Sequence, residues 1–308
     1  MTQLTRRNLL SAGAALPLTG LAAGSARAEA QMMGASFARH RRFMIGGFEV
    51  TTILAGTTPR DEPQGIFGMN VSAETFAEVS RENFLSSETS QFFFTPTLVN
   101  TGAELVLFDT GLNAAATVGA LESAGYTADQ VDVVVLTHMH GDHIGGMMNE
   151  GAPTFANARY AAGQVEWDHW AAAGNEGFDA NVRPMADMTS FLGDGDDVVP
   201  GITGMAAFGH TPGHMVFRLE SEGQGLVIFA DLANHPVWSL ARPDWEVRFD
   251  ADKAQAAASR RNVLGMIAAD RIPAIGYHMP FPAVGYVDTA SSDGAEFRWV
   301  PEAGQLMG

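Results

Sequence analysis

The chain has 308 residues, a formal net charge of −17 at pH 7 and 46% hydrophobic residues, and it contains no cysteine. This length and apolar content suit one large domain or two small ones, and the acidic balance argues against nucleic acids and anionic membranes as partners, since both require a basic surface. Without cysteine, disulfides and zinc fingers are excluded, so any metal site must use histidine, aspartate or glutamate.

The amino terminus is typical of a twin-arginine signal peptide. The pair Arg6-Arg7 precedes an apolar run from Leu9 to Ala23, and Ala26-Arg27-Ala28 fits a signal-peptidase site. The run is shorter than the about 20 apolar residues that span a bilayer, and glycine and proline interrupt it, which disfavours a membrane anchor. We therefore predict a signal peptide over residues 1–28, export to the periplasm or the exterior, and a single domain over residues 29–308.

The next part of the chain predicts alternating strands and helices. A hairpin is predicted from Phe43 to Leu54, around two glycines, and a helix is predicted from Ser72 to Phe84, capped by its first residue. Strands from Gln91 to Asn100 and from Glu104 to Phe108 are predicted to pair, and a helix from about Asn113 to Ser123 follows. This order is typical of an α/β fold.

An apolar run from Val133 to Leu136 predicts a buried strand that ends in four potential metal ligands. His138 and His140 are two residues apart, so both imidazoles project to the same side of an extended backbone. A glycine then allows a sharp turn, after which Asp142 and His143 can face the same cavity. Three imidazoles and a carboxylate are costly to bury without a partner, and a metal ion is the simplest partner.

Three further apolar strands each lead to a histidine or an aspartate. The strands and the residues after them are Met205–Phe208 with His210 and His214, Leu226–Ala230 with Asp231, and Ile272–Tyr277 with His278. Helices are predicted at Gly163–Ala173, within Phe178–Phe191, and at Ala251–Ala269. Polar residues at the carboxyl ends of strands are typical of a ligand site in an α/β fold.

The pattern His138-x-His140-x-Asp142-His143, followed by Gly-His-Thr-Pro-Gly-His, Asp231 and His278, resembles the metallo-β-lactamase-fold hydrolases. The resemblance covers essentially the whole mature chain and implies a four-layer αβ/βα sandwich with the site at one edge between two sheets. It implies two divalent metal ions, the first held by His138, His140 and His214, the second by Asp142, His143 and His278, with Asp231 bridging them. His210 is interpreted as structural or as support for a ligand. Asp109 is interpreted either as a turn residue or as support for a ligating histidine.

The ligand set predicts hydrolytic chemistry. Neutral imidazoles and carboxylates favour zinc, with manganese, cobalt and iron as alternatives. Two such metals lower the pKa of a shared water, so a metal-bound hydroxide is predicted to attack the substrate while the metals polarise its carbonyl or phosphoryl oxygen. Asp142 or Asp231 is predicted to pass the proton to the leaving group.

Within the superfamily the chain resembles the exported methyl parathion hydrolases and the N-acyl homoserine lactonases. The shared motifs are Leu98–Gly111, Thr137–His140, Gly209–His214, Tyr277–Pro282 and Phe297–Pro301. The loop from Leu112 to Ala116 is shorter than in the parathion hydrolases, and Asn234 stands where many lactonases carry a tyrosine over the substrate carbonyl. Asn234 is therefore predicted to donate a hydrogen bond to an oxyanion, with Trp170 and Trp238 as further substrate contacts. Core packing is the alternative for both tryptophans and the expectation for Phe92, Phe93 and Phe94.

The leading functional hypothesis is a hydrolase of a neutral ester-like small molecule. The candidates are a lactone, such as an N-acyl homoserine lactone, and an organophosphate triester, such as methyl parathion. The alternatives are a β-lactamase, a mononuclear iron oxidoreductase of the same fold and a non-catalytic metal-binding protein. Relatives often dimerise, so a homodimer is expected from the resemblance. Neither nucleic acid nor, after signal cleavage, a membrane is expected as a partner.

Overall fold

Two seven-stranded mixed sheets form the framework of the protein in this computed structural model, which describes residues 31–291 and 296–307. Residues 37–308 form one compact unit. Of the preceding unit, residues 1–36, the described part is 31–36, which contains no helix or strand. The predicted signal peptide, residues 1–28, lies outside the described residues, so it stays a prediction, as does the single domain over residues 29–308.

Strands outnumber helices along the described residues. In chain order the strands are β1 (His40–Ile45), β2 (Phe48–Ile53), β3 (Gly56–Asp61), β4 (Thr89–Phe94), β5 (Thr97–Asn100), β6 (Leu105–Phe108), β7 (Val133–Leu136), β8 (Met148–Asn149), β9 (Ala152–Pro153), β10 (Arg159–Gly163), β11 (Thr189–Leu192), β12 (Asp197–Val199), β13 (Ile202–Ala206), β14 (Met215–Ser221), β15 (Gln224–Ala230), β16 (Pro273–Gly276), β17 (Val284–Thr289) and β18 (Phe297–Pro301). The α-helices are α1 (Ala73–Glu82), α2 (Ala114–Ser123), α3 (Gly141–Ile144), α4 (Gln164–Ala173), α5 (Glu176–Asn181) and α6 (Lys253–Asp270).

Each sheet combines parallel and antiparallel pairs. The first has the spatial order β1-β2-β5-β6-β7-β10-β11, antiparallel up to β6 and parallel from β6 onward. The second has the order β12-β13-β14-β15-β16-β17-β18 and is antiparallel except for the parallel pair β15 and β16. Short two-stranded sheets are formed by β3 with β4 and by β8 with β9.

Side chains of β7 alternate between two hydrophobic cores, as the pleat of a strand requires. Val133 and Val135 lie in the core shared by the two sheets, whereas Val134 and Leu136 lie in a second core with residues of α2 and α5. A strand buried on both faces explains why its sequence is continuously apolar rather than alternating.

The two sheets pack face to face, with helices outside them. Phe108 of β6 meets Phe217 of β14 across the interface, with ring centroids 5.1 Å apart. On the second sheet, α6 contacts β17 and buries Val263, Leu264 and Ile267. The resulting order of helix, sheet, sheet and helix is the four-layer α/β arrangement that the resemblance implies.

Most predicted elements are confirmed. The hairpin of β1 and β2, helix α1 with its N-cap Ser72, and the antiparallel pair β5 and β6 all occur where the sequence places them. The run Gln91–Asn100, predicted as one strand, is divided between β4 and β5 at Thr95-Pro96, because proline cannot donate a ladder hydrogen bond. The segment Phe178–Phe191, predicted to hold another helix, does contain part of α5, and the rest of it forms a 3₁₀ turn at Arg183–Met188 and part of β11.

The candidate ligands follow the carboxyl ends of β7, β13, β15 and β16, which belong to both sheets. The site therefore depends on the packing of one sheet against the other. Among the described residues, no helix combines the length and the apolar character that crossing a bilayer requires.

Candidate metal centre

Four short loops carry the candidate ligands. His138 lies between β7 and the short helix α3, and His140 is the N-cap residue of α3, which places Asp142 and His143 in its single turn. His210 and His214 lie in the loop from β13 to β14, Asp231 directly follows β15, and His278 follows β16. The structure brings all of these loops together at one end of the two sheets.

Their nitrogen and oxygen atoms form three sets, each with its ligand atoms within 4.8 Å of one another. The sets are His138, His140 and His210; His138, His143 and Asp231; and Asp142, His143 and His278. Asp231 joins them, because its Oδ2 lies 3.3 Å from His210 Nε2 and its Oδ1 lies 3.3 Å from His143 Nε2.

The structure differs from the sequence prediction at the third histidine of the first set. His210, predicted to be structural or supporting, places its Nε2 3.1 Å from His140 Nδ1, while its Nδ1 lies 3.0 Å from the Asp250 carboxylate. Burial would lower the pKa of His210, but Asp231 and Asp250 raise it. With Nδ1–H donated to Asp250, a neutral His210 would direct the lone pair of Nε2 into the cluster, where a cation could bind it.

His214, predicted to be a metal ligand, has no free lone pair. Its Nδ1 lies 3.2 Å from the carbonyl oxygen of Ala207 and donates to it, and its Nε2 accepts the backbone N–H of Asp231 at 3.2 Å. Burial, together with the nearby His210, lowers the pKa of His214 to about 3, so the ring is neutral. His214 therefore supports the Asp231 loop, and His210, not His214, places its ring nitrogen beside those of His138 and His140.

The imidazoles of His138 and His140 are neutral. Burial lowers the pKa of His138 well below its ordinary value. Burial, together with the nearby His210, lowers the pKa of His140 to about 3. The Nε2 of His138 lies only 3.1 Å from the Nδ1 of His140, so two nitrogens converge on one point where a cation would satisfy both.

The set of Asp142, His143 and His278 combines a carboxylate with imidazoles whose pKa values are raised. Burial would raise the pKa of Asp142, but His143 and His278 lower it to about 2. Burial would likewise lower the pKa of His278, but Asp231 and Asp142 raise it to about 10. The carboxylates thus favour positive charge at this position, which a divalent cation would also supply.

Neighbouring groups hold the rings of His143 and His278 in place. Asp109, at the end of β6, accepts a hydrogen bond from His143 Nδ1 at 2.8 Å, which favours the supporting role over the alternative of a simple turn residue. The Nδ1 of His278 donates to the carbonyl oxygen of Phe93 at 2.7 Å, and the ring of Tyr277 packs on His143 with centroids 3.9 Å apart.

Two buried atoms at the centre of the cluster fit a metal site. His143 Nε2 and Asp231 Oδ1 are buried and lack a hydrogen-bond partner. A buried polar atom without a partner is destabilising, whereas a cation bound to both would satisfy them. The donor set of imidazoles and carboxylates is the type that binds zinc and similar divalent ions.

A cavity of about 390 Å³ opens on the cluster. Its lining residues are Arg60, Phe92, Phe94, Leu112, His140, Gly141, Asp142, Asp231, Phe249 and His278. Phe92 and Phe94, expected to be core residues only, therefore also form its wall. Arg60, Leu112 and Phe249 were not predicted, because the strand and loops that carry them have no motif.

The predicted substrate contacts do not line this cavity. Trp238 is buried in a core with Phe67 and Phe76, and its indole N–H donates to Ser80, so the packing alternative is correct for Trp238. Asn234 donates from Nδ2 to Asp231 Oδ2 at 2.7 Å and so supports the Asp231 carboxylate.

Trp170 lies beside the cluster but outside the cavity wall. Its ring stands edge-on to His140, with centroids 5.8 Å apart, and its indole N–H donates to Glu166 at 2.6 Å. Trp170 therefore packs against a candidate ligand from the side of helix α4.

Comparisons with known proteins show the family of this chain. A family profile described as the Metallo-beta-lactamase superfamily matches residues 95–274. An N-acyl homoserine lactonase of Bacillus cereus is 31% identical over 140 residues, which are 46% of this chain and 53% of that protein. Another from Bacillus sp is 27% identical over 143 residues, 46% of this chain and 54% of that protein. The matched part spans about half the length of these relatives.

Solved structures resemble the fold over more of the chain. AidC, a dizinc quorum-quenching lactonase in complex with a product, has a TM-score of 0.78 at 23% identity and covers 86% of this chain and 97% of its own. The hydrolase AbOPH of the β-lactamase superfamily has a TM-score of 0.80 at 24% identity and covers 88% of this chain and 100% of its own. At these identities the likeness establishes the fold, and the predicted α/β class with its layered sheets is confirmed.

Proposed function

This chain belongs to the metallo-β-lactamase superfamily, and from that premise we propose that it is a dinuclear metal-dependent hydrolase of a neutral, ester-like small molecule. A lactone is the first candidate substrate, and an organophosphate triester is the second. The observation that carries the proposal is the convergence of the candidate ligands on Asp231. Its Oδ2 lies 3.3 Å from His210 Nε2 and 3.2 Å from His278 Nε2, and its Oδ1 lies 3.3 Å from His143 Nε2.

The residues present fit two divalent cations. His138, His140 and His210 would hold the first and Asp142, His143 and His278 the second, with the Asp231 carboxylate shared between them. When bound, such a pair of cations supplies Lewis acidity toward a carbonyl or phosphoryl oxygen and lowers the pKa of water. Zinc is the proposed metal, because neutral imidazoles and carboxylates suit it, with manganese, cobalt and iron as alternatives.

Asp142 is the acid best placed to move a proton. Its side chain is 21% exposed and lines the cavity, whereas the side chain of Asp231 is 5% exposed and is held by Asn234. The Oδ2 of Asp142 also lies 3.3 Å from His278 Nε2, which fixes its orientation. We therefore assign proton transfer toward the leaving group to Asp142 and a fixed, bridging role to Asp231.

The cavity wall supports an apolar substituent on the substrate. Phe92, Phe94, Leu112 and Phe249 contribute apolar surface, and Leu112 and Phe249 are 43% and 38% exposed. Such a wall excludes water from the reacting bond and binds an acyl or aryl group by burial of apolar area. An acyl chain on a lactone meets this description, and the two Bacillus relatives are N-acyl homoserine lactonases.

A substrate panel with metal analysis tests the proposal. The purified protein should contain about two divalent ions per chain and should hydrolyse an N-acyl homoserine lactone, a paraoxon-type triester or both, faster than the β-lactam nitrocefin. A protein that binds two cations and turns over neither the lactone nor the triester would contradict the proposed activity.

Alanine variants of the two histidines test the ligand assignment. His210→Ala should lower the metal content toward one ion per chain and reduce activity by more than about 100-fold, because loss of a supporting group alone costs about 10–100-fold. His214→Ala should retain two ions per chain. Metal analysis that gave the opposite result would restore the assignment expected from the sequence pattern.

We also propose that the chain is exported with the help of residues 1–28, supported by Arg6-Arg7 and the apolar run that follows. Cell fractionation, with a variant in which both arginines are replaced by lysine, tests export. Assembly as a homodimer stays an expectation from the resemblance and is tested by light scattering.

A further inference from the structure

We propose that Glu166 is a positioning residue that locks together the two loops carrying the ligands of the first cation. The inference rests on the metal centre of the proposed function. Glu166 lies in the first turn of helix α4, and its side chain belongs to none of the three ligand sets and does not line the cavity. It is 0% exposed, which is unusual for a carboxylate and requires a compensating environment.

Four hydrogen bonds supply that environment. Oε1 accepts the backbone N–H of Met139 at 2.9 Å and the indole N–H of Trp170 at 2.6 Å. Oε2 accepts the hydroxyl of Thr211 at 2.7 Å and the backbone N–H of Gly213 at 2.9 Å. Each oxygen thus receives two donors, which is close to the full capacity of a carboxylate.

The donors come from the two ligand loops. Met139 stands between His138 and His140, and Thr211 directly follows His210. The first loop leaves strand β7 of one sheet, and the second leaves strand β13 of the other. A single buried side chain therefore joins ligand loops that belong to different sheets.

Contact between the second loop and helix α4 is close. A Cβ built at Gly213 would overlap the backbone nitrogen and Cα of Glu166, so only glycine permits this approach. Trp170, one turn after Glu166, stands edge-on to the His140 ring at 5.8 Å. The hydrogen bond from Trp170 to Glu166 thus holds the indole ring beside His140. The backbone hydrogen bonds of Met139 and Gly213 to Glu166 hold the two ligand loops at a fixed distance from each other.

A carboxylate is required because every partner is a donor. Within residues 31–291 and 296–307 the structure records no ion pair of Glu166 with arginine, lysine or histidine, so neutral donors alone stabilise its charge. A glutamine at this position would present its own N–H₂ group to at least one backbone N–H, which cannot accept a hydrogen bond. One of the two ligand loops would then lose its backbone hydrogen bond to residue 166.

The experiment compares Glu166→Gln with Asp168→Asn in the purified full-length protein. Asp168 is exposed on the same helix, and its carboxylate accepts a hydrogen bond from Gln164, so the control has the same change of charge in the same element. The readouts are Zn²⁺ affinity by competition with a chromophoric chelator, the visible absorption spectrum of the Co²⁺-loaded protein, and the melting temperature of the metal-free protein.

Glu166→Gln should bind Zn²⁺ about 10–100-fold more weakly at the first site and should change the Co²⁺ spectrum, whereas Asp168→Asn should change neither. The inference is overturned if Glu166→Gln lowers the melting temperature of the metal-free protein but leaves the Zn²⁺ affinity and the Co²⁺ spectrum unchanged. Glu166 would then contribute to folding only.

Thr211→Val and Thr211→Ser keep the inference testable if Glu166→Gln does not fold. Valine removes one donor without changing charge or size, so Zn²⁺ affinity should fall several-fold, and serine, which restores the hydroxyl, should recover it. Equal affinities for the two variants would contradict the inference. Because affinity and spectrum need no substrate, a wild type that binds two cations but hydrolyses nothing refutes only the proposed activity. A wild type that binds no cation refutes both.

Discussion

Replacement of Arg260 by methionine should destabilise the protein strongly, although Arg260 touches no candidate ligand. Its guanidinium is 1% exposed, donates from Nη1 to Asp250 Oδ2 at 2.8 Å and donates from Nε to the carbonyl oxygen of Pro243 at 2.9 Å. Methionine keeps the aliphatic stem but removes the charge, so the buried carboxylate of Asp250 loses its only arginine partner among the described residues.

The magnitude follows from the burial of the pair. Removal of one partner from a buried ion pair costs about 3–5 kcal/mol, because the other charge is left uncompensated. Asp250 keeps its 3.0 Å hydrogen bond with His210 Nδ1, and one guanidinium nitrogen, Nη2, already lacks a partner, so the lower end of this range is expected. The exposed pair of Arg298 and Asp288 has the same 2.8 Å distance with side chains 66% and 43% exposed, and its loss should cost less than about 1 kcal/mol.

Urea unfolding of the metal-free variants measures the difference. Arg260→Met should lose about 3 kcal/mol of unfolding free energy, and Arg298→Met should lose less than about 1 kcal/mol. The double variant Arg260→Met with Asp250→Asn should recover part of the loss, since it removes the uncompensated charge. The reasoning is wrong if the two single arginine variants unfold at the same urea concentration.

Two further predictions concern the cavity and the backbone near the site. Phe249→Ala should raise KM about ten-fold for a lactone with a long acyl chain and less for a short one, because it removes apolar wall from the cavity; Phe84→Ala, at a ring that is 99% exposed outside the cavity, should leave both values unchanged. Gly146→Ala should cost more than about 2 kcal/mol in thermal or urea unfolding, because its Cβ would overlap the carbonyl oxygen of Thr110. Gly119→Ala, in the open on helix α2, should instead gain about 0.5–1 kcal/mol, and equal effects of the two glycine variants would contradict the steric argument.

Local patterns could predict much of the fold. The apolar strands at Val133–Leu136 and Leu226–Ala230, and the capped helix after Ser72, are specified by residues close to one another in sequence. The strands β14, β17 and β18 pair with strands next to them in the chain, but none of them leads to a candidate ligand, so the ligand pattern does not reveal them.

The choice between His210 and His214 illustrates what sequence cannot decide. Both lie four residues apart in one loop, and both are buried. Their roles are set by the partner of each Nδ1, which is Asp250 for one and the carbonyl oxygen of Ala207 for the other, and by the Asp231 N–H that occupies His214 Nε2. Asp250 lies 40 residues from His210 in the chain, so only the folded structure makes the distinction.

Three buried carboxylates outside the ligand sets explain why folding and cation binding should be coupled. Asp109 is hydrogen-bonded to His143, and Asp250 is hydrogen-bonded to His210. Glu166 accepts backbone hydrogen bonds from the two ligand loops at Met139 and Gly213. Asp109, Asp250 and Glu166 are 1%, 3% and 0% exposed. Among the described residues, Asp250 alone of the three has an arginine partner, whereas Asp109 is paired with the candidate ligand His143.

Divalent cations bound among these acids should therefore stabilise the folded state. They would do so by attraction to the carboxylates as well as by binding the two buried atoms that lack hydrogen-bond partners. At a free Zn²⁺ concentration of 100 times the dissociation constant, one bound ion adds about 2.7 kcal/mol to the unfolding free energy. Asp109→Asn should remove the charge that orients His143 and weaken Zn²⁺ binding about 10–100-fold, so at the same free Zn²⁺ the increment should fall by about 1.3–2.3 kcal/mol. Urea unfolding in zinc-buffered solutions measures both increments. If Asp109→Asn kept the full Zn²⁺-dependent gain in unfolding free energy, the buried acids would contribute to the structure around the cluster and not to its affinity for cations.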